Sequence, residues 1–150
     1  MNSTNGSNAV VITGSVSSIR SIDCDEIWQI TRGGPDVGDA ARVFAFAPSP
    51  ALFQEYRNHW RQKDPEEWWG LYVRQFREEL HSQEVEIAVE KLHARVESGR
   101  TIALVCFCKD SQYCHRSLVA EFLKDRGFIV EEHQSPRPID SGIAQVTMFV

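Results

Sequence analysis

Residues 101–127, TIALVCFCKDSQYCHRSLVAEFLKDRG, constrain this chain more than any other stretch. Positions 102–108 form an apolar run rich in β-branched and aromatic residues, the composition of a strand covered on both faces. Lys109 to Tyr113 turn polar, and Cys114, His115, Arg116 and Ser117 follow in one unbroken row. Leu118, Val119, Phe122 and Leu123 then recur at helical spacing until Gly127 ends the helix as a C-cap. A strand buried on both faces that feeds a helix through a short loop needs parallel neighbours and covering helices. The expected fold is therefore α/β: a three-layer sandwich, Rossmann-like, with a mainly parallel sheet and helices on both faces. In open sheets of this kind ligands bind beyond the carboxyl ends of the strands, which is where the Cys-His-Arg row falls.

A helix advances about 100° per residue, so a helix starting near Cys114 can be aimed. His115 falls near the middle of its sheet-facing stripe, Cys114 and Arg116 near the edges, and Ser117 outside it. Cys114 and His115 are sequence neighbours but do not share a helix face, so a direct thiol to imidazole contact is not implied. What they share is a helix N-terminus, where free N–H groups and the dipole favour anions. A Cys114 thiolate beside Arg116 is expected to have a lowered pKa there. A phosphate or carboxylate is the expected guest, with Arg116 and Ser117 holding it.

Upstream, residues 9–13 (AVVIT) predict a first strand, ended by Gly14 and the Ser-rich turn 15–18. Gly14 and Ser15 are candidate anion contacts there, beside the plainer reading of ordinary turn chemistry. Residues 27–31 (IWQIT) predict a second strand, broken at Arg32-Gly33-Gly34-Pro35, so Arg32 points either into the same crevice or into solvent. Residues 43–47 are a candidate third strand. Ser49 and Pro50 then open a helix carrying Leu52, Phe53, Tyr56 and Trp60, and Asp64-Pro65 opens another with the stripe Trp69, Tyr72, Val73, Phe76 and Leu80. Trp68 lies off that stripe and is expected at the surface. Ser82 caps a further helix (Val85, Ala88, Val89, Leu92, Val96) that returns to the 102 strand as a crossover, making that strand parallel to an earlier one. His59, His81 and His93 read as surface residues and Cys24 as a small hydrophobe. Residues 128–130 and 144–150 are candidate strands, the latter an edge.

Residues 9–150 are expected to form one domain behind a polar tail, 1–8, with no charged-then-apolar leader, so the expected location is the cytoplasm. The net charge is −5, with no basic run, which disfavours extended nucleic-acid binding and leaves a small anionic ligand or a nucleotide as the partner; no membrane partner is expected. Three of the four cysteines crowd into Cys106, Cys108 and Cys114, a pattern of reduced thiols, metal binding or redox chemistry rather than of a secreted disulfide framework.

Three readings of the row stand side by side. As an enzyme, Cys114 or Cys106 is the nucleophile, His115 the general acid or base, and Arg116 with Ser117 the anion holder. The layout is similar to that of cysteine-dependent phosphatases, but the cysteine-to-arginine spacing differs. As a metal site, Cys106, Cys108, Cys114 and His115 offer three thiolates and an imidazole to Zn²⁺, without the usual Cys-x-x-Cys knuckle. As structure alone, the cysteines are small buried hydrophobes and the histidine is held by a carbonyl. No other cofactor is expected.

The segment LVCFCKDSQYCHRSLVAEFLKDRGFIVEEH resembles the signature of the domain-of-unknown-function 488 family. Weaker likenesses lie in Thr13 and Gly14, in ITRGGP (30–35) and in FAPS (46–49) before the aromatic helix. The resemblance implies a single compact α/β domain with Cys106, Cys114, His115 and Arg116 on recurring positions and Cys108 where other residues are common. It implies no established reaction.

Overall fold

The computed structural model describes residues 9–134. The expected tail 1–8 and edge strand 144–150 lie outside the described residues. Among the described residues five parallel strands form one sheet in the order β3-β2-β4-β1-β5: β1 (Val11–Ser15), β2 (Glu26–Gln29), β3 (Ala41–Arg42), β4 (Ile102–Cys106) and β5 (Val130–Glu132). β4 sits between β1 and β2, with Val11 opposite Ile102 and Ser15 opposite Cys106. All five of its residues are buried, as its unbroken apolar composition requires. The fold is an α/β, Rossmann-like sandwich.

Among the described residues the four α-helices are α1 (Pro50–Glu55), α2 (Pro65–Glu79), α3 (Gln83–Glu97) and α4 (His115–Asp125). Each of the first three starts where the sequence demands it: Ser49, Asp64 and Ser82 accept from the backbone N–H of Leu52, Glu66 and Val85. Buried residues of all four helices share one cluster with Ile102, Leu104 and Cys106. The alternate β4 residues, Ala103 and Val105, pack with Ile22, flanked by Val16 and Ile19 of a short 3₁₀ segment, Val16–Ser21. The period of two along β4 thus separates a deep core from a shallow one. Each fully buried aliphatic side chain in the deep core contributes about 1.5–3 kcal/mol.

Several expected boundaries move. Gly14 and Ser15 continue β1 rather than ending it, because they pair with Val105 and Cys106 of β4. The expected third strand at 43–47 is a 3₁₀ turn, Phe44–Phe46, and β3 precedes it. Trp68, expected at the surface, is only 4% exposed. Tyr72, Phe76 and Leu80 of the expected stripe are buried, but at its start Trp68 takes the place of Trp69, which is half-buried like Val73. The cause is the chain before it. After α1 the backbone widens into a π turn over Tyr56–Trp60, and Trp60 stacks on Trp68 at 5.7 Å between ring centroids. The Trp68 indole N–H donates to the carbonyl of Lys63 at 3.3 Å, which satisfies its polar edge. His59, His81 and His93 are exposed, as expected.

Candidate functional site

β4 ends at Cys106, and a loop of exposed residues, Phe107 to Asp110 with Gln112 and Tyr113, leads to α4. Cys114 is the N-cap in extended conformation, and it makes no side-chain cap bond. His115, the first helical residue, looks back over the strand ends. Its Nε2 lies 2.6 Å from the carbonyl of Ile30. A carbonyl only accepts, so Nε2 carries the proton and Nδ1 presents a lone pair. That lone pair faces Cys114 Sγ at 3.8 Å. The histidine is therefore both the carbonyl-held residue of the structural reading and an available proton acceptor.

The sulfur atoms gather beneath it. Cys106 Sγ and Cys114 Sγ are 3.2 Å apart, and those of Cys106, Cys108 and Cys114 all lie within 4.8 Å of one another. Arg116 Nη1 donates to Cys106 Sγ at 3.2 Å. Hydrogen bonds from the Cys108 and Cys114 thiols, joined by the charge of Arg116, outweigh burial and hold Cys106 far below the ordinary thiol range. The two donors pay in the opposite sense. The bond to Cys106 and burial push Cys108 up to about 11, and the same pair of causes raises Cys114. The expectation of a lowered Cys114 is thus overturned: the sulfur beside Arg116 is that of Cys106, and Cys114 keeps its proton to share with it.

Arg116 is 1% exposed and all five of its N–H donors point into protein. Nε and Nη2 grip the Glu132 carboxylate, with Nη2 to Oε2 at 2.7 Å. The remaining donors reach Cys106 Sγ and the carbonyls of Cys108 and Lys109. Thr13 Oγ1 donates to the same carboxylate at 2.7 Å. Burial alone would lower the Arg116 pKa; Glu132 and the Cys106 sulfur outweigh it and hold it above its usual value. Ser117 Oγ donates to the carbonyl of Cys114 at 2.9 Å. The expected anion holders of the row therefore face inward and tie the loop to the helix.

Two hollows flank this partition. One, of about 360 Å³, has Cys106, Cys108, Cys114 and His115 at its base and Phe53, Tyr56, Trp68 and Tyr72 around it. Thr31, Arg32, Gly33, Gly34, Pro48, Phe107 and Tyr113 also line it. Gly34 has φ 81°, and a Cβ there would sit 2.5 Å from the Phe107 ring, so this rim needs glycine twice over. Arg32 is half-buried; its Nε donates to the carbonyl of Pro48 at 2.9 Å and its guanidinium lies 4.6 Å from the Phe44 ring centre. Its two Nη groups have no partner among the described residues. The other hollow, about 470 Å³, is polar and is lined by Ser15, Ser18, Lys109, Asp110, Ser111, Arg116, Glu132, His133 and Gln134.

The candidate residues consequently divide. Cys106, Cys114, His115 and Arg32 meet at the first hollow, with Cys108; Ser15 and Arg116 line the second; Gly14 and Ser117 line neither. A Cβ on Gly14 would stand 3.0 Å from Ile22 Cδ1 and 3.3 Å from His133 Cβ, so packing explains that glycine. Sequence reasoning missed the aromatic wall and Glu132. The wall had a signal, the density of Phe, Tyr and Trp between Phe53 and Phe76, but their spacing reads equally as core.

Residues 16–127 match a family model, DUF488-N3a, described as the active DUF488-N3 subclade. The chain belongs to the DUF488-N3a family. No curated protein and no solved structure matches it significantly. The DUF488-N3a match covers the whole base of the aromatic hollow, from Arg32 through His115, and also Arg116. It stops short of Glu132 and begins after Ser15, so the second hollow draws part of its lining from outside the DUF488-N3a segment. Among the described residues no helix is long and apolar enough to cross a membrane.

Proposed function

We propose that this chain is an enzyme that takes a flat, ring-bearing, nucleotide-like or otherwise phosphorylated ligand into the aromatic hollow and acts on it through the Cys106 sulfur. The observation that carries the reading is Cys106 Sγ at the base of that hollow with Arg116 Nη1 3.2 Å away, a cation placed to keep the sulfur as thiolate. Tyr56, Trp68, Tyr72 and Tyr113 supply ring faces and edges for a planar group. Arg32 replaces Arg116 as the residue for an anionic group, since its Nη groups are uncommitted among the described residues. Cys114, between Cys106 Sγ and His115 Nδ1, is the proton carrier: its thiol donates to a leaving group and the imidazole takes or returns the proton.

Thiol labelling tests the nucleophile without a substrate. An ordinary thiol, with pKa about 8.5, loses about tenfold in thiolate for each pH unit below that value. Cys106, whose thiol pKa is depressed, stays ionised down to its own lower pKa, so its iodoacetamide rate is expected to stay nearly flat from about pH 8 to pH 5 while Cys24 slows steeply. A Cys106 rate that drops in step with Cys24 removes the assignment. Once a nucleotide is found to raise the melting temperature, Cys106→Ser and His115→Ala should abolish its turnover; normal turnover in both would leave only a binding module.

A second reading has one observation in its favour. The three Sγ atoms within 4.8 Å of one another, with His115 Nδ1 beside Cys114, are ligand types that suit Zn²⁺, bound to sulfur at about 2.3 Å. In that case the hollow belongs to a metal-stabilised, noncatalytic ligand- or partner-binding module. Metal analysis of the purified chain decides: one equivalent of zinc supports it, and a preparation essentially free of zinc removes it.

A further inference from the structure

We propose that Cys106 and Cys114 form a reversible disulfide that silences the site when a hydroperoxide enters it, and that Cys108 is the thiol through which the pair is reset. The inference rests on the reading of Cys106 as the reactive sulfur and adds its regulation. The two Sγ atoms are already 3.2 Å apart, and a disulfide needs about 2.05 Å. They belong to different elements, the last residue of β4 and the N-cap of α4, and the segment between them is the exposed loop, so the closing movement falls on the part least held by packing. Both sulfurs are buried and line a hollow that a small peroxide can enter. Cys108, the third member, is the exposed one. Cys24 lies outside the cluster and serves as an internal control.

The steps balance. The Cys106 thiolate attacks one oxygen of the hydroperoxide; an S–O bond forms, the O–O bond breaks, and the departing alkoxide or hydroxide takes a proton from solvent. The sulfur is oxidised by two electrons to sulfenic acid and the peroxide is reduced to an alcohol or water. The Cys114 thiol gives its proton to His115 Nδ1 and its sulfur attacks Cys106 Sγ; an S–S bond forms, the S–O bond breaks, and hydroxide leaves with the proton from His115 as water. For the reset, the Cys108 thiolate attacks Cys114 Sγ and expels Cys106 as thiolate, the leaving group that Arg116 stabilises. The resulting Cys108–Cys114 bond is exposed at Cys108, and an external dithiol reduces it, becoming a disulfide itself.

The experiment treats the reduced, full-length chain with one equivalent of hydrogen peroxide, blocks free thiols and maps peptides, with iodoacetamide labelling at low pH and zinc content measured on the same preparation. Expected are loss of two hydrogens, a Cys106–Cys114 link, and Cys24 and Cys108 blocked as free thiols. In Cys114→Ser, Cys106 should persist as a sulfenic acid that dimedone traps. In Cys108→Ser the disulfide should form at the parent rate but be reduced by a dithiol about tenfold more slowly. Rapid labelling of Cys106 without any Cys106–Cys114 link overturns the switch and leaves the nucleophile standing, whereas a Cys106 inert to both reagents overturns both. A dominant Cys106–Cys108 link overturns the pairing, parent-like reduction of Cys108→Ser overturns the reset, and a peroxide-resistant chain carrying one zinc overturns the proposal outright.

Discussion

The two hollows at the carboxyl edge of the sheet stand back to back and differ in kind. The aromatic one has few charges and four chemically able groups at its base; the polar one is rich in hydroxyls, carboxylates and cations. A count of charged residues would have favoured the polar side for an anionic ligand. The bonding says otherwise, because the most conspicuous cation, Arg116, has every donor committed to the wall between them. A guanidinium in such a wall does not hold a guest. Its charge adds to the Cys108 and Cys114 hydrogen bonds that lower the pKa of the Cys106 thiol on the other side, at the cost of its own availability.

That contrast can be broken most severely at Arg116. Arg116→Ala leaves the part-buried Glu132 carboxylate without its cationic partner and empties the wall, and the expected loss is about 3–5 kcal/mol in urea unfolding. If the variant still folds, the Cys106 labelling rate near pH 6 should fall toward that of Cys24; an unchanged rate would separate the wall from the sulfur's reactivity. Next comes the aromatic side. Trp68→Ala removes a buried ring that packs on Tyr56, Trp60 and Tyr72, and should cost about 3 kcal/mol while lowering affinity for any ring-bearing ligand. The polar side supplies the small effect that sharpens the comparison. Lys109→Ala is expected to change stability by less than about 0.5 kcal/mol and to leave Cys106 labelling untouched, since among the described residues only the backbone carbonyl of Lys109 is engaged.

The fold was legible because β4 and α4 carry unambiguous patterns: five consecutive buried residues in one, an apolar stripe closed by Gly127 in the other. Helix starts at Ser49, Asp64 and Ser82 were legible because capping is local chemistry. The third strand was not, since Val43 to Ala47 has strand composition and only Pro48 and the α3 helix packed against it decide for a 3₁₀ turn. At the site, the aim of His115 followed from helix geometry alone. The role of Arg116 did not, because its partner Glu132 lies 16 residues on, on a different element, and no local pattern links them. Trp68 was misplaced for a related reason: the π turn at Tyr56–Trp60 brings Trp60 over it, and a widened turn leaves no trace in the spacing.

β1, the inner strand between β4 and β5, lies outside the segment that matches the family, and so does β5, which delivers Glu132. Anyone trimming the protein to residues 16–127 for expression would therefore discard one of the two strands that pair with β4, together with the counter-charge of the buried Arg116 guanidinium. Such a fragment would be a poor scaffold, and a workable boundary has to reach back past Val11 and forward past Glu132.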